Sequence, residues 1–599
     1  MHLRLVEIEN FRGIKNLALK LDVITAVFGE GSFGKSSLIE ALKICLGPDK
    51  GSKPPQFHSQ DFHMPPGQDE PQAQKLSIVL TFREGTPHEW GSDAYADLEP
   101  VISKWRDGRR EACVRFEADR ESGESRCEFL KPDRTRIVNV EVPKALARLR
   151  ALCPVIALSW HGSAVNGTQN GNQATDYSNN CGAARENTDR QNVVSGENGS
   201  TDPDANSGSE DVSSRLSDGD RYILSVYRKA LSQPDRLTRE ELAAALEALS
   251  GLEGRYPASE SGRVEKYQVL INEIREASTR IPTNKDKRTR LSRFGDVHQV
   301  IALLAIVGTI LEARGTLEMP RATEPIIAFE NLETNLHPIA RACIWDLLAQ
   351  IPVQKLMISN SDDLLASVPL RSLRRVVRRK EGLDVHAVGS DSLTKDDIRR
   401  LGYHIRLNRA DAIMNRVWLL IEGESEGWLL PEMAHVLGYD FKSEGIRCIE
   451  FAQCGIEPMI KMAQDLGIEW HLLSDGDNAG HSYVNVARRF LNGDDFDTRI
   501  SCMKEHDIEH HLAKHGFLKV YANAAGPQIR RNDPLHAIVR SAVKRNSKPA
   551  LILRVIEYAQ ETGMSTVSPL LSHVVETCIK LARKMEPDFA ILTPKDYEG

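Results

Sequence analysis

At 599 residues, 41% of them hydrophobic, the chain is too long for one core and is expected to form about two to four domains. Its net charge of −7 lacks the bulk basic signature of a nucleic-acid binder, so any such binding must come from local patches. Ten cysteines without a Cys-x-x-Cys pair support neither a zinc site nor a disulfide framework, and the longest apolar stretch, Val300–Leu311, is too short to span a bilayer. With no signal-like apolar segment after Met1-His-Leu-Arg, a cytoplasmic protein with no membrane partner is expected.

In chain order, the first strong signal is for nucleotide. An apolar strand, Val23–Phe28, runs into Gly29-Glu-Gly-Ser-Phe-Gly34-Lys35-Ser36, followed by an apolar helix pattern over Ser37–Leu46. That is a complete GxxxxGK[ST] phosphate loop between a strand and a helix, the context the motif requires. Gly29, Gly34, Lys35, Ser36 and Ser37 are the candidate ATP-binding residues. Backbone N–H groups and the helix N-terminus would cradle the phosphates, Lys35 would reach the β- and γ-phosphates, and Ser36 would ligate Mg²⁺.

From residue 161 to 217 the chain is Asn, Gly, Ser, Thr and Asp with almost no large apolar residues. Burial there cannot offset ordering entropy, and the insert is expected to be disordered. Residues 218–285 are rich in helix formers, with Leu242, Ala245, Leu246, Leu249 and Leu252 near helical spacing. Basic candidates for a nucleic-acid surface are Lys285 to Arg290 with Arg293, then Arg371, Arg374, Arg375, Arg378, Arg379 and Lys380, and Arg406 with Arg409. Solvated helix faces account for most such runs.

Two acidic clusters follow. Val417-Trp-Leu-Leu-Ile-Glu422-Gly-Glu424-Ser-Glu426 is an apolar run that ends in three carboxylates, and Trp470-His-Leu-Leu-Ser-Asp475-Gly-Asp477 ends in Asp-x-Asp. Apolar runs bounded by glycine read as parallel-sheet strands, whose carboxyl ends are where α/β folds build their sites. Glu426 lies about one helical turn beyond Glu422. Asp475 and Asp477 point the same way if their segment is extended. Hard oxygen ligands of this kind suit Mg²⁺ or Mn²⁺. A solvated acidic loop explains either cluster alone but poorly explains both, capping strands of one α/β unit.

The pattern of Glu422, Glu426, Gly455, Asp475 and Asp477 resembles the TOPRIM domain of topoisomerases, primases and the OLD (overcoming lysogenization defect) nucleases. The runs Ile421–Glu426, Gly445–Gly455 and Gly467–His471 narrow the resemblance to the YbjD-type group of ATP-dependent OLD-family endonucleases. Leu3-Arg-Leu-Val-Glu-Ile-Glu-Asn-Phe-Arg12-Gly is similar to the first strands of RecF-, Rad50- and SMC-like ATPases. Ile326-Ile-Ala-Phe-Glu330-Asn331-Leu-Glu333-Thr-Asn-Leu-His337-Pro338 resembles the hhhhEEPExxLHP segment of the same ATPases, with Glu330 as the acid that holds Mg²⁺. The second acid, which polarises the attacking water in that family, is here Asn331, and an amide cannot accept a proton as a carboxylate does. Asn360, after the strand Lys355–Ser361, stands where many relatives have a histidine that senses the γ-phosphate. Both changes imply slow hydrolysis, or ATP acting as a clamp. Ser292–Gln299 takes the place of the ABC signature, though an ordinary helix cap explains it equally.

The resemblance further implies that Asp507 and Glu509 are second-metal ligands and that Lys548 sits near the scissile phosphate, where it would stabilise developing charge. The expected fold is α/β: an ABC-type ATPase head (1–160 and 286–388) with a helical insertion (218–285) that mediates dimerisation or packs on its own head. A connector (389–415) leads to a TOPRIM Rossmann-like domain with C-terminal helices (416–599). The expected function is ATP-gated hydrolysis of DNA by a homodimer or larger homo-oligomer. Glu422, Asp475 and Asp477 would hold one ion and Glu426 with Glu509 a second, with a further Mg²⁺ on ATP. The rivals are an ATP-dependent DNA-binding or sensing module, a topoisomerase, for which no tyrosine stands in a telling context, and an SMC-type structural ATPase, which would need long heptad runs.

Overall fold

The computed structural model describes residues 1–30, 34–47, 50–65, 70–85, 87–91, 93–105, 108–159, 323–330, 353–379, 382–408, 410–528 and 533–584, with isolated positions between 221 and 345. The expected insert (161–217), nearly all of the helical insertion (218–285), Ser292–Gln299 and Asn331 to Pro338 lie outside the described residues.

One mixed sheet carries the amino-terminal half. Its strands are β1 (His2–Phe11), β2 (Ile14–Lys20), β3 (Ile24–Phe28), β4 (Lys75–Arg83), β5 (Ile102–Lys104), β6 (Arg110–Asp119), β7 (Ser125–Leu130), β8 (Val155–Ser159), β9 (Ile326–Glu330), β10 (Gln354–Ile358), β11 (Leu373–Arg379) and β12 (Gly382–His386). They run in the order β5-β6-β4-β1-β2-β12-β11-β3-β10-β9-β8, with β7 on β6. Strands β11, β3, β10, β9 and β8 are mutually parallel, whereas β2, β1, β4 and β6 pair antiparallel. Of these, β3, β8 and β9 read as short, mostly apolar runs, as strands covered on both faces do. Strand β3, which feeds the phosphate loop, is separated from β9 only by β10. The helix Lys35–Leu46 leaves the loop with Leu38, Ile39, Leu42 and Leu46 turned into the core.

A second sheet follows, with β13 (Val417–Ile421), β14 (Ile446–Glu450), β15 (Glu469–Ser474) and β16 (Ile500–Cys502) all parallel in the order β14-β13-β15-β16. Strand β13 is buried along its whole length. Its alternate residues serve two cores. Val417, Leu419 and Ile421 pack with the C-terminal helices Leu518–Ala525, Lys548–Thr562 and Pro569–Lys584. Trp418 and Leu420, with Trp470 and Leu472 of β15, join a cluster that also holds Phe28, Phe329 and Met357 of the first sheet. The stretch expected as a connector holds the helix Lys395–Asn408, whose Leu401 and Ile405 enter that shared cluster. Among the described residues no helix is long and apolar enough to cross a membrane.

Candidate active site

Strands β13 and β15 end side by side, and their last turns carry the acids. Glu422 leaves β13 and accepts a hydrogen bond from the Asp475 amide at 3.0 Å, which ties the two strand ends together. Glu426 lies in the first turn of the helix Glu424–Val436 and is buried. Glu509 enters from the short helix Ile508–Leu512, only 2% exposed. Lys548, the first residue of the helix Lys548–Thr562, reaches Glu509 at 2.9 Å. Glu422, Glu426, Asp475, Glu509 and Lys548 thus line one cavity of about 410 Å³, together with Glu424, Ser425, Trp428 and Ile508.

The cavity is electrostatically uncompensated. Burial, then the charges of Glu422, Asp507, Glu509 and Asp477, push the Asp475 carboxyl up to about 7. Burial, then Asp475, Glu509 and Glu422, push Glu426 up to about 8. Glu422 is raised by burial and by Asp477, against the opposing hydrogen bond from the Asp475 amide. Burial disfavours the Lys548 ammonium, yet Glu509, Asp507 and Glu426 together raise its pKa. One lysine faces the five carboxylates of the lining. Asp475 Oδ1 is buried and takes no hydrogen bond from any described residue. A buried, unsatisfied carboxylate oxygen among like charges fits a hard divalent cation as its missing partner.

Two sequence candidates sit beside the cavity rather than on its wall. The strand ends at Ser474, so the alternation that would aim Asp477 alongside Asp475 stops there. Asp477 instead caps the helix Asn478–Ala487, its Oδ1 accepting from the Gly480 amide at 2.7 Å. Gly480 permits this turn, because a Cβ there would stand 2.1 Å from the Asp475 carbonyl oxygen. Asp507 caps the helix after it, accepting from the His510 amide at 2.8 Å. Each cap fixes the backbone that aims a lining acid, and each still adds negative charge to the site. Trp428, 43% exposed on the cavity wall, carried no sequence signal that separates it from a core tryptophan.

Elsewhere, the described groups whose metal-ligand atoms all lie within 4.8 Å of one another are Glu505–His511–His515 and His2–Glu89–Glu324. Glu505 is already bonded to His511 at 2.8 Å and Lys514 at 2.7 Å, which makes it part of a closed ion-pair network. Among the described residues, no three acids of the cavity bring ligand atoms within 4.8 Å of one another.

At the phosphate loop, Gly34 is in the left-handed region (φ +88°), and a Cβ would meet Leu383 Cδ1 at 2.8 Å. The helix therefore starts where only glycine fits. Lys35 Nζ points into the loop, bonded to the Gly29 carbonyl and at 2.8 Å to Asn360 Oδ1. Glu330 ends β9 in register with Ile358, two residues before Asn360. Ser36 is exposed, and Ser37 Oγ accepts from the Gly13 amide at 3.4 Å. A lysine, a glycine cradle and an adjacent strand-end acid fit a nucleoside triphosphate with a divalent cation. Asn331 lies outside the described residues.

Two arginines of the basic run at 371–380 are not available to an open patch, while Lys380 lies outside the described residues. Arg374 and Arg375 are 6% and 3% exposed. Arg374 binds Asp22 at 2.9 Å and the Lys20 carbonyl at 3.0 Å, while Arg375 donates to backbone carbonyls of Asn415, Leu466 and Gly467. Their strand lies inside the sheet, so these two arginines are structural, whereas Arg371 is exposed.

Fold and site together define a phosphate-loop head with a fold like that of ABC and SMC ATPase heads, followed by a TOPRIM domain. The model of the family "Protein of unknown function (DUF2813)" matches residues 1–200 and 203–412, and that of "Overcoming lysogenization defect protein-like, TOPRIM domain" matches 414–477. The "Uncharacterized protein YbjD" of Escherichia coli (strain K12) is 31% identical over 97% of this chain and 99% of its own length. The chain belongs to the OLD (overcoming lysogenization defect) family. Among solved structures it is similar to the C-terminal region of the Burkholderia pseudomallei OLD protein (15% identity, 28% of this chain and 99% of that one, TM-score 0.25). It is also similar to the SMC head domain from Thermotoga maritima (10% identity, 65% and 100%, TM-score 0.30). Likenesses this distant add nothing to the strand order itself.

If repulsion among the buried acids is unrelieved without a cation, Asp475→Asn should melt higher than wild type in metal-free buffer, by roughly 2–4 °C per kcal/mol gained. Mg²⁺ should stabilise wild type and leave the variant nearly unmoved. Thermal melts in chelator and in Mg²⁺ decide this, and equal stabilisation of both proteins by Mg²⁺ would remove Asp475 from the site.

Proposed function

We propose that the protein is an ATP-binding, divalent-metal-dependent endonuclease that hydrolyses DNA phosphodiester bonds at the Glu422–Asp475 cavity, gated by its ATPase head. The observation that carries this reading is the unpartnered Asp475 Oδ1 among Glu422, Glu426 and Glu509, with Lys548 as the facing cation. The coarser statement, a nuclease carrying an ATPase module, has the support of the TOPRIM match and the family.

Bound divalent ions, two in number, would polarise the phosphate and activate water. Glu422 and Asp475, with Asp477 behind them, would hold one, and Glu426 and Glu509, with Asp507 behind them, the other. Lys548 would stabilise charge that develops on the phosphate, which requires it to release Glu509 as substrate enters. Trp428 offers a face on which a base beside the cut can stack. The expected assembly is a homodimer or larger homo-oligomer, with nucleotide held between heads.

Two observations favour a second reading, an ATP-dependent DNA-binding module with weak cleavage. Lys548 is spent on Glu509 at 2.9 Å, and the cavity acids are not within mutual ligand reach.

The two readings separate in a cleavage assay on supercoiled and linear DNA with Mg²⁺, Mn²⁺ or Ca²⁺. Wild type should cut with Mg²⁺ or Mn²⁺, and Glu422→Ala or Asp475→Ala should abolish cutting while ATP binding persists. Undiminished cutting by both variants at saturating Mg²⁺ would refute the site.

Lys35→Ala should weaken ATP binding severely, since the phosphates lose their cation. An unchanged affinity in a direct titration would show that nucleotide binds elsewhere.

Turnover of ATP should be slow, because Asn331 stands where a base is needed. Asn331→Glu should raise it, a general base being worth about 10²–10⁴-fold. Brisk wild-type hydrolysis that the substitution leaves unchanged would discard the clamp.

A further inference from the structure

A bidentate ion pair joins the phosphate loop to the base of the nuclease strands. Arg416 Nε and Nη2 donate to the two carboxylate oxygens of Glu30 at 2.7 and 2.8 Å. Glu30 is the second residue of the Gly29–Ser36 loop, directly after β3, and Arg416 directly precedes β13. The side chains are 13% and 30% exposed, so water screens the pair only in part. A guanidinium held by both oxygens of one carboxylate is fixed in orientation as well as in distance.

Arg416 also stands where three strands of the second sheet begin. Its amide donates to the Gly445 carbonyl at 2.8 Å, just before β14, and its carbonyl accepts from the Glu469 amide at 2.9 Å, at the start of β15. Arg375 reinforces the joint from the other side. It lies on β11 opposite Phe28 of β3, and its guanidinium reaches the carbonyls of Asn415, Leu466 and Gly467 at 2.7–3.2 Å. The far ends of β13 and β15 carry Glu422 and Asp475, themselves tied by a hydrogen bond. Close-packed strands transmit a displacement rather than absorb it, and these are only 5 and 6 residues long.

We propose that the Glu30–Arg416 pair, backed by Arg375, is the joint through which nucleotide in the phosphate loop sets the geometry of the carboxylate cavity, with Arg416 as a positioning residue. This rests on the reading that the loop binds ATP and the cavity cuts DNA. The physical cause is charge. A triphosphate brings several negative charges into the loop that holds the Glu30 carboxylate, which is driven away from the phosphates and toward its cationic partner. The pair therefore differs in energy between the two nucleotide states, and a ligand shifts an equilibrium only through such a difference. By linkage the coupling runs both ways.

The test compares wild type, Arg416→Gln and Arg416→Lys. Each is assayed for ATP affinity, cleavage with and without ATP, and amide exchange over Val417–Ile421 with and without ATP. ATP is expected to change wild-type cleavage by a factor within the range of about 5–150 found for coupled sites, and to change exchange in β13. Arg416→Gln should still bind ATP, with an affinity shifted by no more than the coupling factor, and should bring both ratios to about one, the limit of zero coupling. Arg416→Lys, which keeps the charge and loses the fork, should fall between, and it carries the test if the glutamine variant fails to fold. ATP responses in Arg416→Gln equal to those of wild type overturn the joint and leave ATP gating standing. A wild type whose cleavage and β13 exchange both ignore bound ATP overturns the joint and the gating together. A wild type that cuts nothing, yet shows an ATP-dependent exchange change that Arg416→Gln loses, supports the joint and refutes the nuclease reading alone.

Discussion

The constraint on which the rest depends is the placing of acids at the buried carboxyl ends of two adjacent parallel strands. A carboxylate out of water is costly unless paired, and Asp475 has an oxygen with no donor among the described residues. The fold supplies what support a backbone can give. The Asp475 amide steadies Glu422, Asp477 and Asp507 cap the flanking helices, and Lys548 is set against Glu509. It stops short of neutralising the site. A protein under selection for stability alone would fill such a cavity with apolar side chains, and the retained cost points to function.

The two sheets are not beads on a string. Trp418 and Trp470 stand opposite each other on β13 and β15 and pack in the same cluster as Phe329 of β9 and Phe28, which ends the strand before the nucleotide loop. The helix Lys395–Asn408 adds Leu401 and Ile405 to that cluster. A nuclease strand whose one face is core for its own domain and whose other face is core for the ATPase cannot shift without the ATPase registering it. Shared packing makes coupling between the halves physically available, and the polar contacts at the base of β13 give it direction.

Much of this was legible in the sequence. Short apolar runs ending in Gly-flanked acids located β13 and β15, and the complete phosphate-loop motif placed its helix within two residues of where it starts. Such signals are local, carried by periodicity and by residues that backbone geometry requires. Tertiary partners were not legible. Nothing near Glu30 in the chain announces Arg416, which lies 386 positions away. The arginines at 374 and 375 read as a basic patch because composition does not tell a buried guanidinium with carbonyl partners from a solvated one. Asp477 read as a twin of Asp475 because alternation holds only while the strand lasts, and the strand ends at Ser474. Lys35 meeting Asn360 is likewise a product of strand order, with β10 lying next to β3.

The central claim is that the cavity acids Glu422, Glu426, Asp475 and Glu509 bind divalent metal. Its most direct test is Mn²⁺ binding followed by electron paramagnetic resonance in nucleotide-free protein carrying Lys35→Ala, so that the phosphate loop does not contribute. Adding Glu422→Gln and Asp475→Asn together should remove the bound-Mn²⁺ signal while the fold persists by circular dichroism. Bound Mn²⁺ of unchanged stoichiometry and affinity in that variant would contradict the account.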